Sequence, residues 1–235
     1  MTQPAVFTRA GLLLGARDVV PLLLGVAPFG LVTGIASQGA GLSIGETVFM
    51  SGFVYAGSSQ LVALAIWAHP PPLLAVTLAA LIVNLRLVLM GPVLGPWLDR
   101  VRGWRVWLSL FVMTDQNWAL SVRDMNRGGP DAAYLLGSGL PMWGVWVVTS
   151  AVGHVAGQAL RPPPGHPLFF AAIAVFVSML AGMWRGRRDL VPWGVAALVS
   201  TAVAWLLPGT FWYIVAGAVA GSATGALRDR AADAR

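Results

Sequence analysis

Eight apolar blocks, each about long enough to cross a bilayer and joined by short connectors, constrain this chain more than any other feature. They run over about Val19–Ser37, Thr47–Trp67, Leu73–Leu98, Trp104–Val122, Ala132–Gln158, Pro167–Trp184, Val191–Leu207 and Phe211–Leu227. A helix needs about 20 predominantly apolar residues to span the hydrocarbon core. Period-2 alternation is absent, and a membrane admits only helices or closed barrels. The expected fold is an all-α, polytopic integral membrane bundle, one domain over residues 1–235 with no linker. Composition agrees: 10% of the residues are charged, against roughly 25% in a soluble domain, too few to build a water-facing surface. Arg9, Arg17 and Asp18 precede the first block, which is too long for a signal-peptide core, so a retained helix is expected.

Several classes of chemistry are excluded by what is missing. There is no cysteine, hence no disulfide, thiolate metal site or thiol nucleophile. All 15 basic residues are arginine, which removes the phosphate-binding lysine of ATPases. No HExxH, GxSxG or phosphate loop occurs, and three dispersed histidines give no metal spacing. The chain is therefore not expected to be an enzyme or to carry a cofactor. Its net charge of +6 does not point to nucleic acid either, because the arginines sit in short connectors, where they orient a membrane protein.

Those arginines cluster at Arg9/Arg17, Arg100/Arg102/Arg105, Arg123/Arg127, Arg185/Arg187/Arg188 and Arg228/Arg230/Arg235, while the connectors near Gly41, Pro71 and Pro208 have none. With eight full crossings, the Arg100–Arg105 cluster would face outside, against the positive-inside bias. If the second and fourth blocks instead enter and leave on one side, every cluster is cytoplasmic. Both of those blocks are interrupted by polar residues, Ala56-Gly57-Ser58-Ser59-Gln60 in one and Thr114-Asp115-Gln116-Asn117 in the other. Broken or re-entrant helices are tolerated at depth where they line a protein-enclosed cavity. Trp67, Trp97, Trp104, Trp184 and Trp193 lie at block ends, as interfacial anchors do. Gly30/Gly34 and Gly217/Gly221/Gly225 are small-xxx-small faces that let another helix approach closely, in this chain or a partner.

Polar groups at membrane depth are the candidate site. Asn84-Leu85-Arg86 stands near the middle of the third block, about a dozen residues or roughly 18 Å from either end at 1.5 Å per residue. An arginine cannot snorkel that far, so Arg86 is expected to face a hydrated cavity and meet an anionic group or a carboxylate partner. Asp115 is the one acidic residue deep in any block; the two charges should find each other, or a zwitterion that satisfies both. A break at Gly57 would expose backbone N–H groups that attract a carboxylate; alternatively, the small residues there pack against a helix and the serines bond their own backbone. His154 reads equally as a proton relay or a hydrogen-bonded packing residue.

At these same residues the chain resembles the AzlC family, the large subunit of bacterial branched-chain amino-acid exporters. The likeness lies in Pro21 through Pro28-Phe29-Gly30, in Val48 through Tyr55-Ala56-Gly57-Ser58-Ser59-Gln60, in Asn84-Leu85-Arg86 through Gly91-Pro92, and in Met113-Thr114-Asp115-Gln116. It covers roughly the first 125 residues, the remainder agreeing in hydropathy. Leu87 and Gln116 depart from it, where the family often has histidine and an acidic residue. The resemblance implies a permease of the cell inner membrane that exports leucine, isoleucine, valine or similar aliphatic amino acids with a small AzlD-type membrane subunit. Gly57, Ser58, Ser59, Gln60, Asn84, Arg86, Asp115 and Gln116 form the expected substrate-binding set. In this scheme transport is driven by the proton gradient, and Asp115 meets the ammonium group or carries the proton. The alternative is a channel-like or scaffold subunit whose partner forms the substrate path.

Overall fold

The computed structural model describes residues 6–160, 186–208 and 212–233, with positions 177, 181, 184 and 210 standing alone. The sixth block, Pro167–Trp184, lies outside the described residues apart from those isolated positions, as do Arg161, Pro162–Pro164, His166 and Arg185. Among the described residues the secondary structure is helical, and the one β pairing is an isolated bridge between Val6 and Asp131. The chain divides into two compact units, Met1–Val175 and Phe176–Arg235.

In the first unit, α1 (Arg9–Asp18) precedes α2 (Val20–Gly39), α3 (Ile44–Phe53) and α4 (Gly57–Ala65). Then come α5 (Leu73–Met90), a 3₁₀ turn over Gly91–Leu94, α6 (Gly95–Leu98), α7 (Trp104–Phe111), α8 (Asp115–Asn126) and α9 (Ala133–Leu160). Among the described residues, three stretches are long and apolar enough to cross a membrane: α2, the α5–α6 run over Leu73–Leu98, and α9. The composition at the start of the chain hid α1, which the sequence shows only as a mixed leader. Thr8 caps it, accepting from the Gly11 N–H, and Gly11 and Gly15 seat it on α9 against Asp131 and Tyr134.

The core is organised around α9, which touches α1, α2, α3, α7 and α8. Its contact with α2 is made through glycine on both sides. Gly30 faces Thr149 and Trp146, Gly34 faces Ser150 and His154, and Gly157 faces Ile35 and Gln38. Residue numbers rise together along this seam, so α2 and α9 run parallel. A Cβ at Gly34 would stand 2.7 Å from the His154 backbone nitrogen, so the crossing exists only because small residues let two backbones meet. The small-residue face expected at Gly30/Gly34 thus has its partner inside the chain.

Both polar interruptions break their helices. α3 ends at Phe53 and α4 restarts at Gly57; α7 ends at Phe111 and α8 restarts at Asp115. Each broken segment also returns to the end from which it set out. His69, beyond α4, packs on Gly41, just before α3, its Nε2 2.9 Å from where a Cβ would stand. Arg105, in the first turn of α7, lies over the Phe7 ring at 5.2 Å. Phe7 shares a cluster around Trp97, Ala132 and Tyr134 with Val101 and with Leu120 and Met125 of α8. The α3–α4 hairpin therefore opens at the end where α2 finishes, and the α7–α8 hairpin at the end where α2 and α9 begin. At 1.5 Å per residue, α3 reaches about 15 Å, half of the roughly 30 Å hydrocarbon core.

Trp97 corrects one expectation. It is 3% exposed and donates its indole N–H to the Gly129 carbonyl at 3.0 Å, so it is a core residue rather than an interfacial anchor. The turn at Gly91–Leu94 tips the last residues of the block inward, which position in the sequence does not reveal. Trp104, 65% exposed, keeps the peripheral place expected of it.

The second unit contains α10 (Leu190–Leu206) and α11 (Trp212–Asp233), packed on each other. Gly217 lies against Ala196 and Ser200, and Gly221 against Ala196 and Pro192. This glycine face serves an intramolecular contact.

Candidate functional site

The tips of the two hairpins meet at α5. Arg86 Nη2 lies 3.1 Å from Asp115 Oδ2 and donates to Ser58 Oγ at 3.0 Å. Asn84, two residues earlier, donates through Nδ2 to Ser59 Oγ at 3.3 Å. Chain length fixes the meeting point: α5 begins at the end where the α3–α4 hairpin opens, and about 14 residues, roughly 20 Å at 1.5 Å each, bring it to mid-depth at Arg86. There it passes a hairpin tip reaching in from each end.

Each tip is built by local chemistry. At the first, Tyr55 adopts a positive φ of 41°, uncommon for a bulky residue and costing of order 1–3 kcal/mol. That conformation stops α3 and turns the chain into α4. No side chain caps α4, which leaves the N–H groups of its first turn, with their partial positive charge, beside Ser58 and Ser59. Gly57 is required there because a Cβ would stand 2.6 Å from both the Phe29 and Trp146 rings. At the second tip, Asn117 stitches the break. Its Oδ1 accepts from the Thr114 N–H at 2.7 Å and hydroxyl at 3.2 Å, and its Nδ2 donates to the Val112 carbonyl at 2.9 Å. Asp115 is then the first residue of α8, where a carboxylate is favoured by the helix dipole. Trp118 holds α8 to α5 by donating to the Met90 carbonyl at 2.9 Å.

Of the expected site residues, Ser58, Ser59, Asn84, Arg86 and Asp115 converge. Gly57 and Gln60 belong to the same turn of α4 but face the other way. Gln60 is fully buried, donating to Ser51 Oγ at 3.2 Å and accepting from Trp146 Nε1 at 3.0 Å. Gln116 follows Asp115 in the first turn of α8 and is half-buried. Leu87, beside Arg86, packs into the apolar cluster of Leu94, Met113 and Leu135.

The arrangement offers both halves of a zwitterion a partner. Arg86 and the uncapped turn of α4 present positive charge to a carboxylate; Asp115 presents negative charge to an ammonium group. Asn84 Oδ1 is buried without a hydrogen-bond partner, an uncommon state for a buried acceptor. The Arg86 and Asp115 side chains are 44% and 33% exposed, so the pair is accessible rather than sealed in the core.

A second polar group escapes a motif search. Along α9, Trp146, Ser150, His154 and Gln158 recur every four residues on one face. His154 Nδ1 is 2.9 Å from Thr47 Oγ1 and its Nε2 3.2 Å from Gln158 Nε2. The packing role foreseen for His154 is thus present in its hydrogen bonds.

Three membrane-crossing stretches, with two broken hairpins meeting at a charged pair between them, define a multi-pass helical membrane protein with a polar site at depth. The sequence matches the AzlC protein family over residues 21–160, a range that takes in both hairpins and all of α9, and the chain belongs to that family. It is 28% identical over 218 residues to the inner membrane protein YgaZ of Escherichia coli, covering 89% of this chain and 87% of that one. An uncharacterized membrane protein of Archaeoglobus fulgidus is 27% identical over 205 residues, covering 86% and 88%. One of Helicobacter pylori is 27% identical over 142 residues, covering 59% and 61%. No solved structure matches.

Proposed function

We propose that this chain is a secondary transporter of the inner membrane that exports branched-chain or similar aliphatic amino acids, driven by the proton gradient and working with a small AzlD-type subunit. The observation that carries it is the Arg86–Asp115 pair, held between two hairpin tips with Ser58 and the unpartnered Asn84 Oδ1 beside it. An α-amino acid entering there exchanges one ion pair for two: its carboxylate takes Arg86 and the first turn of α4, its ammonium takes Asp115 and Asn84. Such helix N-termini at mid-depth are a recurring way to hold a substrate carboxylate in transporters. The inner-membrane location follows the YgaZ relative.

The test is leucine counterflow in proteoliposomes holding the chain alone or with its small subunit. Counterflow by the chain alone, lost in Arg86→Ala, supports a carrier whose site is here. Counterflow that needs the small subunit and survives Arg86→Ala places the substrate path in the partner. Absence of leucine counterflow in both preparations overturns the assignment.

A further inference from the structure

The α2–α3–α9 seam holds a column of buried polar side chains that the substrate site does not use. α3 runs antiparallel to α9: Thr47 meets His154, and farther along Trp143 donates to the Gly52 carbonyl at 2.9 Å. Ser51, one turn along α3 from Thr47, lies between those two contacts. Ser51 is bonded to Gln60, and Gln60 to Trp146. Two bonded groups thus share the seam: Thr47–His154–Gln158, and Ser51–Gln60–Trp146, which ends on the turn of α4 whose other face carries Ser58 and Ser59. Ser150 lies one helical turn from both His154 and Trp146 on α9. Thr47, Ser51, Gln60, Ser150 and His154 are all fully buried. Ser150 Oγ has no hydrogen-bond partner, so the column contains one polar group in reserve.

Its position and its charges narrow what the column can do. His154 lies six residues before the end of α9, about 9 Å at 1.5 Å per residue, at the end of the unit away from Arg17, Arg123 and Arg127. By the positive-inside bias that is the outer face. Neither α2 nor α4 contains a titratable residue. α3 contains only Glu46, which is exposed and bonded to Ser43, and α9 otherwise only Tyr134, at its far end. In the outer connector His69 lies on Gly41. His154 is therefore the one group of the column able to gain a proton, and no carboxylate of these helices faces it.

Resting on the amino-acid exporter proposed above, we infer that His154 is the proton-binding residue of the transporter, loaded from the outer face and coupled to the substrate site through Thr47, Ser150, Ser51 and Gln60. Loading converts the neutral imidazole, with one N–H, to an imidazolium with two, taking one proton and no electrons. Gln158 Nε2 can only donate, so the neutral ring accepts there at Nε2 and already donates from Nδ1 to Thr47 Oγ1. Loading adds the proton at Nε2, and the Gln158 amide must turn to present its oxygen. The added positive charge also draws the nearby hydroxyl dipoles, among them Ser150 Oγ, which has no hydrogen-bond partner. Ser51 is bonded to Gln60, so the charge is felt at the turn of α4 that holds the substrate carboxylate. Unloading reverses it.

The experiment uses the chain with its small subunit in vesicles containing a pH-sensitive dye, reading leucine-coupled proton movement and leucine counterflow in one preparation. Wild type shows both. His154→Gln, which retains groups to bond Thr47 and Gln158, keeps counterflow but loses proton movement by about two orders of magnitude, the low end of what a positioned proton donor contributes. Ser150→Val leaves the ring in place and removes the reserve acceptor; it lowers proton movement more than counterflow. Undiminished proton movement in His154→Gln overturns the inference, as does equal loss of both activities, which assigns the ring to packing. Should His154→Gln fail to insert, unchanged coupling in Ser150→Val overturns it. Leucine counterflow in a wild type that moves no proton overturns the inference and leaves the exporter standing. A wild type without leucine counterflow overturns both.

Discussion

Arg86 and Asp115 come from opposite directions to meet: Arg86 rides the continuous helix α5, and Asp115 opens α8 at the tip of a hairpin that enters from the arginine-rich end. Their 3.1 Å contact ties together three elements, because Ser58 of the other hairpin bonds the same guanidinium nitrogen. A movement of either hairpin must break or remake bonds at Arg86. In the proposed transporter, a substrate bound at Arg86 would therefore act on both hairpins.

The pair's contribution to stability is small, whereas the proposed binding role makes its removal fatal to transport. With side chains 44% and 33% exposed, the attraction is screened, and about 1 kcal/mol is the appropriate scale. Arg86→Ala and Asp115→Asn are each expected to insert and purify at near wild-type yield yet to export no leucine. The double variant Arg86→Met with Asp115→Leu should also fold and stay inactive. Full leucine export by the double variant would refute the binding role, leaving the pair purely structural.

Topology follows from the hairpin ends. Arg105 stacks on Phe7, and Trp97 and Tyr134 share a cluster with Phe7, so the Arg100–Arg105 cluster is placed with Arg17 and Arg123 at one end. A cysteine at position 102 should resist an impermeant external thiol reagent in intact cells, while one at Gly41 should react. The native chain has no cysteine, so the background is clean. Labelling at 102 from outside would favour a fourth block that crosses.

The entrance to the α3–α4 hairpin predicts a pH dependence. Glu46 accepts from the Ser43 N–H at 2.7 Å and hydroxyl at 2.8 Å. These bonds, the backbone one foremost and with help from His69, hold its carboxyl below the ordinary value of 4.5. A carboxylate depressed in the fold stabilises it above the unfolded value, and that stability is lost as pH falls through the folded one. Glu46→Ala should therefore lower the melting temperature in detergent at pH 7. The difference from wild type should shrink only below about pH 4.5, where the linkage begins to act. A difference that persisted undiminished below about pH 3 would show that the cap does not depend on the charge of the carboxylate.

What the sequence revealed, and what it withheld, divides along physical lines. Broken helices were legible because a run of polar residues at membrane depth is too costly to persist without a cavity or a partner. The Arg86–Asp115 contact was legible because two lone opposite charges in apolar runs have almost nothing else to pair with. Gln60 was grouped with the site by its place in one motif, but a helical turn separates faces that adjacency in sequence does not. It serves Ser51 and Trp146 instead. The column on α9 was invisible for a related reason. Trp146, Ser150, His154 and Gln158 are single polar or amphipathic residues spread over three turns, and the residues that bond two of them, Thr47 of α3 for His154 and Gln60 of α4 for Trp146, are distant in sequence. Helix α1 was missed because its hydrophobic residues are sparse and its anchoring depends on Gly11 and Gly15 meeting the backbone and side chains of α9.

The glycine face of α11 makes the last prediction. A Cβ at Gly221 would stand 2.8 Å from Ala196 Cβ and 3.2 Å from the Pro192 carbonyl. At Gly217 the neighbours are Ser200, which donates to the Tyr213 carbonyl at 3.0 Å, and the Ala196 carbonyl. The space is occupied by backbone, which cannot rotate away as a side-chain end could. Leucine at 221 must push α10 and α11 apart, and overpacking of this kind typically costs about 1–3 kcal/mol, occasionally more. Gly225 meets only ordinary contacts with Pro192, beginning at 3.9 Å, and Gly225→Ala serves as the control. Gly221→Leu should reduce the yield of folded, detergent-stable protein by a large factor, while Gly225→Ala leaves it near wild type. Were the face instead reserved for the proposed partner subunit, Gly221→Leu would leave the chain folded and lose only that partner's co-purification. That result would show that the α10–α11 seam can open to admit a second chain.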